Sequence, residues 1–217
     1  VSSIRVILDQ ILSMPYYRNF QAVSGKVHNA ACHEDAVENI FVINGYAEST
    51  TKKISTNTRD QWLAGNYDNQ YEIMENNSYI SQPCGTHNSP DFIVKDERGK
   101  LFFLECKSAK AGTPMYNSGV PKGSYIYVLS SEKHDATTLY MGKDCLPPEA
   151  KTAIEKHIRE ARLRDEELNL KLKGMTPYGI TYYTRPMMQH KGQKTTKDYF
   201  LNGNRFLNEQ NVFAHVQ

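Results

Sequence analysis

The 217-residue chain is poor in cysteine: Cys32, Cys84, Cys106 and Cys145 form no CxxC pair. Zinc ribbons and knuckles need paired ligands at short spacing, and disulfide frameworks belong to short secreted chains, so neither is expected. His28, Cys32 and His33 come nearest to a metal cluster, but without a second pair they read as partly buried polar residues on a helix. Long apolar runs are also missing. Tyr125 to Leu129 and Ile40 to Ile43 are typical, far below the roughly 20 residues of a membrane span. Val1 to Gln10 lacks the basic head, apolar stretch and small-residue cleavage site of a leader. A cytoplasmic protein that touches no membrane is therefore expected.

Charge of one sign is scarce overall, since 26 basic against 24 acidic residues leave +2. The distribution is uneven: Val1 to Pro90 carries 6 basic and 9 acidic residues, and Asp91 to Gln217 carries 20 and 15. A polyanion would dock on the second half. With 39% apolar and 23% charged residues, the composition is globular and excludes disorder along the whole chain. The length supports one substantial domain with an elaboration.

Ile4, Ile7, Leu8, Ile11 and Leu12 follow helical spacing and stop before Pro15. A second helix is expected from about Asn29 to the Gly45 stop, with Ala30, Val37, Ile40 and Phe41 on its apolar side and Glu34 and Glu38 on the other. The polar stretch from Ser49 to Asn77, anchored by Trp62 and Leu63, suggests a short helix and loops. Asp91 to Lys95 and Leu101 to Lys107 flank Asp96-Glu97-Arg98-Gly99 and read as a β-hairpin. Tyr125 to Leu129 reads as an inner strand covered on both faces. After Pro147 and Pro148, a charged helix from about Glu149 to Lys173 carries Ile154, Ile158, Ala161, Leu168 and Leu172 on a stripe interrupted by Asp165, which favours a docked helix over a coiled coil. Tyr178 to Thr184 is expected to be the last strand, followed by a basic loop and a tail of scattered aromatics.

If the hairpin turn is centred near Arg98, Asp91 faces Glu105, with Cβ atoms roughly 4.5 to 5.5 Å apart. Two carboxylates that close raise each other's pKa unless a cation intervenes. Lys107 shares the face of Glu105 because strand side chains alternate. A surface ion-pair cluster is the plain alternative. Against it stand Phe92, Ile93, Val94, Phe102, Phe103 and Leu104, which make these core strands. Paired acids on a buried scaffold suit Mg²⁺ with retained waters, and the backbone carbonyl of Cys106 could join as a ligand.

Ser89-Pro90-Asp91, thirteen residues, then Glu105-Cys106-Lys107 resemble the signature of PD-(D/E)XK nucleases. Glu34 stands eleven residues before Gly45, a spacing similar to that of an acidic helix in many such enzymes. The resemblance covers about 29–129. It implies an α/β fold, a restriction-endonuclease-like mixed β-sheet flanked by helices, in a single nuclease domain over 1–217. The catalytic core would span about 29–130, and a helical and basic C-terminal elaboration about 149–217.

The resemblance further implies metal-dependent phosphodiester hydrolysis. Asp91 and Glu105 would hold Mg²⁺, Lys107 would position or help deprotonate the attacking water, and Glu34 or Glu38 would be an outer ligand. The segments Gln82 to Phe92 and Pro114 to Lys122 look like those of type II restriction endonucleases, which makes duplex DNA the expected partner and a homodimer the expected assembly. Lys110, Asn117 and Lys122 are candidates to touch DNA, although Asn, Ser, Gly and Pro also make ordinary turns. Lys191, Lys194 and Lys197 recur every third residue and either lie against phosphates or form a solvated loop. A repair nuclease, or a non-catalytic DNA-binding module on the same fold, remains open as an alternative.

Overall fold

A computed structural model describes residues 1–19, 33–117 and 119–217. Helix α1 (Ile4–Leu12) buries Ile4, Ile7, Leu8 and Ile11, as their spacing requires. Helix α2 (His33–Ile43) buries Ala36, Val37, Ile40 and Phe41 and stops at Gly45, whose φ of +86° suits glycine. The expected start of this helix, with His28, Asn29, Ala30 and Cys32, lies outside the described residues. Strand β1 (Ala47–Glu48) precedes the polar stretch, which supplies α3 (Thr56–Leu63) and α4 (Asn69–Ile73). Ser55 and Asp68 cap the two helices by accepting from the amides of Thr58 and Tyr71. Trp62 is buried and donates to Asp68 at 3.0 Å.

Six strands form one mixed sheet: β1, β2 (Ser78–Ser81), β3 (Phe92–Lys95), β4 (Leu101–Ala109), β6 (Ile126–Ser131) and β7 (Ala136–Met141), in that order across the sheet. Between β4 and β6 in the chain, β5 (Met115–Tyr116) leaves the sheet and pairs with β8 (Met188–Gln189). Strands β2, β3 and β4 run as an antiparallel meander, and β4 pairs with β6 in parallel. The expected hairpin is present. Gly99 takes φ +82° in its turn, and Phe92 faces Leu104 while Lys95 faces Leu101. Every residue of β6 is buried between β4 and β7.

Side-chain alternation divides the core into two layers. Phe92, Val94, Phe102 and Leu104 pack with α1, α2 and the C-terminal residues Val212 and Val216. Ile93, Phe103 and Tyr127 face the other way, toward Trp62, Tyr199 and Phe200. Each large side chain withdrawn from water contributes about 1.5–3 kcal/mol, so both faces of the sheet are held.

The second half departs from expectation. Helix α5 (Pro148–Met175) exists, but none of its 28 residues is buried. Its stripe is half-covered by the returning chain instead of docking on the sheet. Tyr178 to Thr184 is not a strand; it runs alongside α5, pinned where Asp165 accepts from Thr184 and Asn169 pairs with Tyr182. Asp165 therefore holds the returning chain at the point where it interrupts the apolar stripe. The basic loop contains β8 and the short α6 (Lys194–Lys197), and the aromatic tail ends in α7 (Arg205–His215). No helix of the described residues is long and apolar enough to cross a membrane.

Candidate functional site

The ladder between β3 and β4 carries Asp91 and Glu105 to one end of the sheet. Asp91 stands one residue before β3, and its amide donates to the Leu104 carbonyl at 3.0 Å, which continues the register toward Glu105. Lys107 lies two residues further along β4, and its Nζ reaches Glu105 Oε1 at 2.7 Å. The partners of this pair are 12% and 19% exposed, so the ion pair is sheltered, unlike a surface cluster. Glu105 Oε2 is buried and without a hydrogen-bond partner. An orphaned buried acceptor costs about 1–3 kcal/mol, a cost that a cation or ordered water at that oxygen would remove.

Asp91 is fixed from two sides. Gln82 Nε2 donates to its Oδ1 at 3.0 Å, and the Cys106 amide donates to its Oδ2 at 2.7 Å. Burial first, and the neighbouring Glu105 charge second, push its pKa up to about 7, with Glu34 adding to the repulsion. Around Asp91 the carboxylates of Glu105 and Glu34 thus outweigh the opposing charge of Lys107. The Cys106 side chain is buried, and burial together with the surrounding carboxylates keeps its thiol protonated.

Of the two helical acids, Glu34 is the one whose charge reaches Asp91 and Cys106. Glu38 is engaged elsewhere, accepting from Tyr79 Oη at 2.9 Å. His33, at the start of α2, is buried and held neutral by desolvation, its pKa lowered to about 4. Among the described residues, no three His, Cys, Asp or Glu side chains are grouped to hold a metal. Two carboxylates with an unpartnered oxygen nevertheless fit a hard cation that keeps several waters.

Glu105 and Lys107 open into a small cavity that Ser89, Asn117, Lys122 and Tyr127 also line. Lys107, Lys110 and Asn117 line an adjoining cleft. Of the sequence candidates, Asn117 and Lys122 therefore share a cavity with Glu105, while Lys110 lies in the cleft on the far side of Lys107. Lys191, Lys194 and Lys197 are exposed and outside both cavities. Their segment is tied nearby, because Asp198 binds Lys133 and His134 and the Tyr199 amide donates to Gly112, two residues beyond Lys110.

Sequence reasoning missed Gln82 and Arg59. The Arg59 guanidinium is buried and donates to the Ser89 carbonyl at 2.8 Å, holding the loop that enters Asp91. Gln82 falls within the polar run before Asp91, but nothing in that run marks it as the carboxylate's partner. Arg59 lies 30 residues from Ser89 and has no sequence signal at all. Comparison with protein-family models, curated proteins and solved structures finds no match for this chain.

Proposed function

We propose that the chain is a type II restriction endonuclease, a Mg²⁺-dependent enzyme that hydrolyses phosphodiester bonds in duplex DNA at a specific short sequence. The observation that carries this reading is the convergence of Asp91, Glu105 and Lys107 on one sheltered sheet end, with Glu105 Oε2 left unpartnered. Asp91 and Glu105 would hold Mg²⁺ with the Cys106 carbonyl, and Glu34 would act as an outer ligand through water. These residues would give Mg²⁺ a site from which it would lower the pKa of an attacking water and offset charge on the phosphoryl group.

The protein's own residues do the rest. Gln82 and the Cys106 amide fix both oxygens of Asp91, so the carboxylate needs no reorientation. Lys107, anchored on Glu105, places a fixed positive charge where negative charge develops and orients the water. Lys110, Asn117 and Lys122 would contact DNA from the cavity walls, phosphates by charge and base edges by hydrogen bonding. A palindromic site would be matched by a two-fold homodimer.

Incubating the purified chain with plasmid DNA tests the reading. Discrete fragments in Mg²⁺ and none in EDTA are expected. Smearing or junction cutting would instead indicate a repair or structure-specific nuclease, and binding without cutting a non-catalytic module on such a fold.

A further inference from the structure

Strands β5 and β8 form a two-stranded ribbon apart from the main sheet. Met115 stands opposite Gln189, and Tyr116 opposite Met188. Paired residues share a face and successive residues alternate, which gives the ribbon an inner and an outer side. The inner side is anchored. Tyr116 is buried, and its Oη lies 2.9 Å from Tyr140 Oη and 3.4 Å from His190 Nε2. Met188 packs with it in the layer that holds Tyr127 and Tyr199. The outer side faces solvent. Met115 and Gln189 are exposed there, and by alternation Asn117 and Met187, each two residues along, join them and are exposed as well.

This outer side borders the candidate site. Met115 and Asn117 line the cleft that also holds Lys107, and Asn117 lines the cavity of Glu105 too. The surroundings suit a polyanion: Ser108 to Lys122 and Arg185 to Lys197, the segments that carry the two strands, contain six Lys and Arg and no Asp or Glu. The face itself bears two amides and two thioethers instead of charges. A side-chain amide donates and accepts at once, which matches the N6 donor and N7 acceptor of adenine, and an apolar group meets the methyl of thymine.

We propose that the β5–β8 ribbon reads the DNA sequence from the major groove, with Gln189 and Asn117 bonded to adenines and Met115 and Met187 against thymine methyl groups, so that the recognised site contains A·T pairs. The inference rests on the proposed action on duplex DNA and adds which element reads bases and which bases it reads. The major groove, about 12 Å wide, admits a two-stranded ribbon. Anchoring of the inner side fixes the outer amides before DNA arrives, so their hydrogen-bonding geometry need not be assembled on binding. The flanking lysines hold phosphates on either side, which positions the ribbon without selecting sequence.

Selection of bound duplexes from a random-sequence library, with the full chain in Ca²⁺, tests this apart from nuclease activity. A consensus containing A·T pairs is expected. Gln189→Ala should weaken binding of the selected duplex about tenfold, the loss of one bidentate base contact, and relax the consensus at one A·T position, which a merely structural role would not do. Replacing thymine by uracil in the selected duplex removes the methyl and should weaken binding by the wild-type chain about fourfold per contacted thymine. The Met115→Ala, Met187→Ala double variant should lose less. A chain that selects such a consensus but cuts nothing in Mg²⁺ keeps the ribbon and loses the enzymatic reading; one that cuts without selecting a consensus does the reverse. No consensus, a consensus of G·C pairs alone, a Gln189→Ala consensus identical to the wild type, or uracil bound as well as thymine would overturn the inference.

Discussion

The Gln82 side chain donates to Oδ1 of Asp91 across 3.0 Å, leaving the Cys106 amide to hold the other oxygen. Gln82→Ala frees one oxygen of a buried carboxylate that already repels Glu105. Removing such an outer partner typically costs 10–100-fold in metal affinity or activity. Cleavage by the Gln82→Ala protein should therefore need about tenfold or more additional Mg²⁺ to reach half its maximal rate. A Mg²⁺ titration of plasmid cleavage measures this, and an unchanged midpoint would mean that Gln82 only fills space.

Asp91→Ala and Glu105→Ala should abolish cleavage while leaving DNA binding largely intact, and Lys107→Ala should come close to both. These three groups share one end of the β3–β4 ladder, and Lys107 is the only side-chain partner found for Glu105 among the described hydrogen bonds. Calcium should support binding without turnover, because its larger and more flexible coordination sphere fills oxygen sites but activates water poorly. Wild-type rates from purified Asp91→Ala protein would remove this pair from the chemistry.

The two helical glutamates separate in the same assay. Glu34→Gln removes a charge felt at Asp91 and should lower single-turnover cleavage about tenfold or more. Glu38→Gln keeps an oxygen able to accept from Tyr79 and should change little. The reverse order would place the wrong turn of α2 at the site.

The parts of this site legible in the sequence are those fixed by local geometry. Gly99 sets the turn, the turn sets the register, and the register places Asp91 toward Glu105 and Lys107 beside it. Gln82 and Arg59 reach the site across tertiary contacts that no periodicity records. The same limit applies to the fold. Strand β7 and helix α7 escape an apolar pattern because their contact is partly polar: Thr138 donates to Glu209 at 2.7 Å, and both are buried. The stripe on α5 is present in the sequence, but its period cannot tell whether a sheet or a returning chain will cover it.

Asp198 fastens the basic segment to the body of the protein. Burial alone would raise its pKa, yet hydrogen bonds from Lys133 and His134 outweigh burial and lower it. A carboxylate depressed in the folded state stabilises the fold above its unfolded pKa, and that contribution is lost as pH falls through the folded value. Stability from Asp198 should thus be complete at neutral pH and vanish only in strong acid. Asp198→Asn should cost about 2 kcal/mol near pH 7 and flatten the acid limb of the stability profile. Urea unfolding at several pH values checks both; equal losses at every pH would assign the effect to packing.

Lys191, Lys194 and Lys197 are exposed and close to the loop that carries Lys110, through the bond from the Tyr199 amide to Gly112. If they face DNA, each neutralises a phosphate and releases a counterion, contributing about 0.9 to the slope of log affinity against log salt. Replacing all three by alanine should reduce that slope by about 2.7. Sequence preference should barely move, because phosphate contacts set register without reading bases. The triple variant leaves the Asp198 contacts untouched, so a lost slope is not a lost fold. A salt titration of binding in Ca²⁺ gives the answer: an unchanged slope would set this segment away from the DNA, and an altered site preference would make it an element that reads bases.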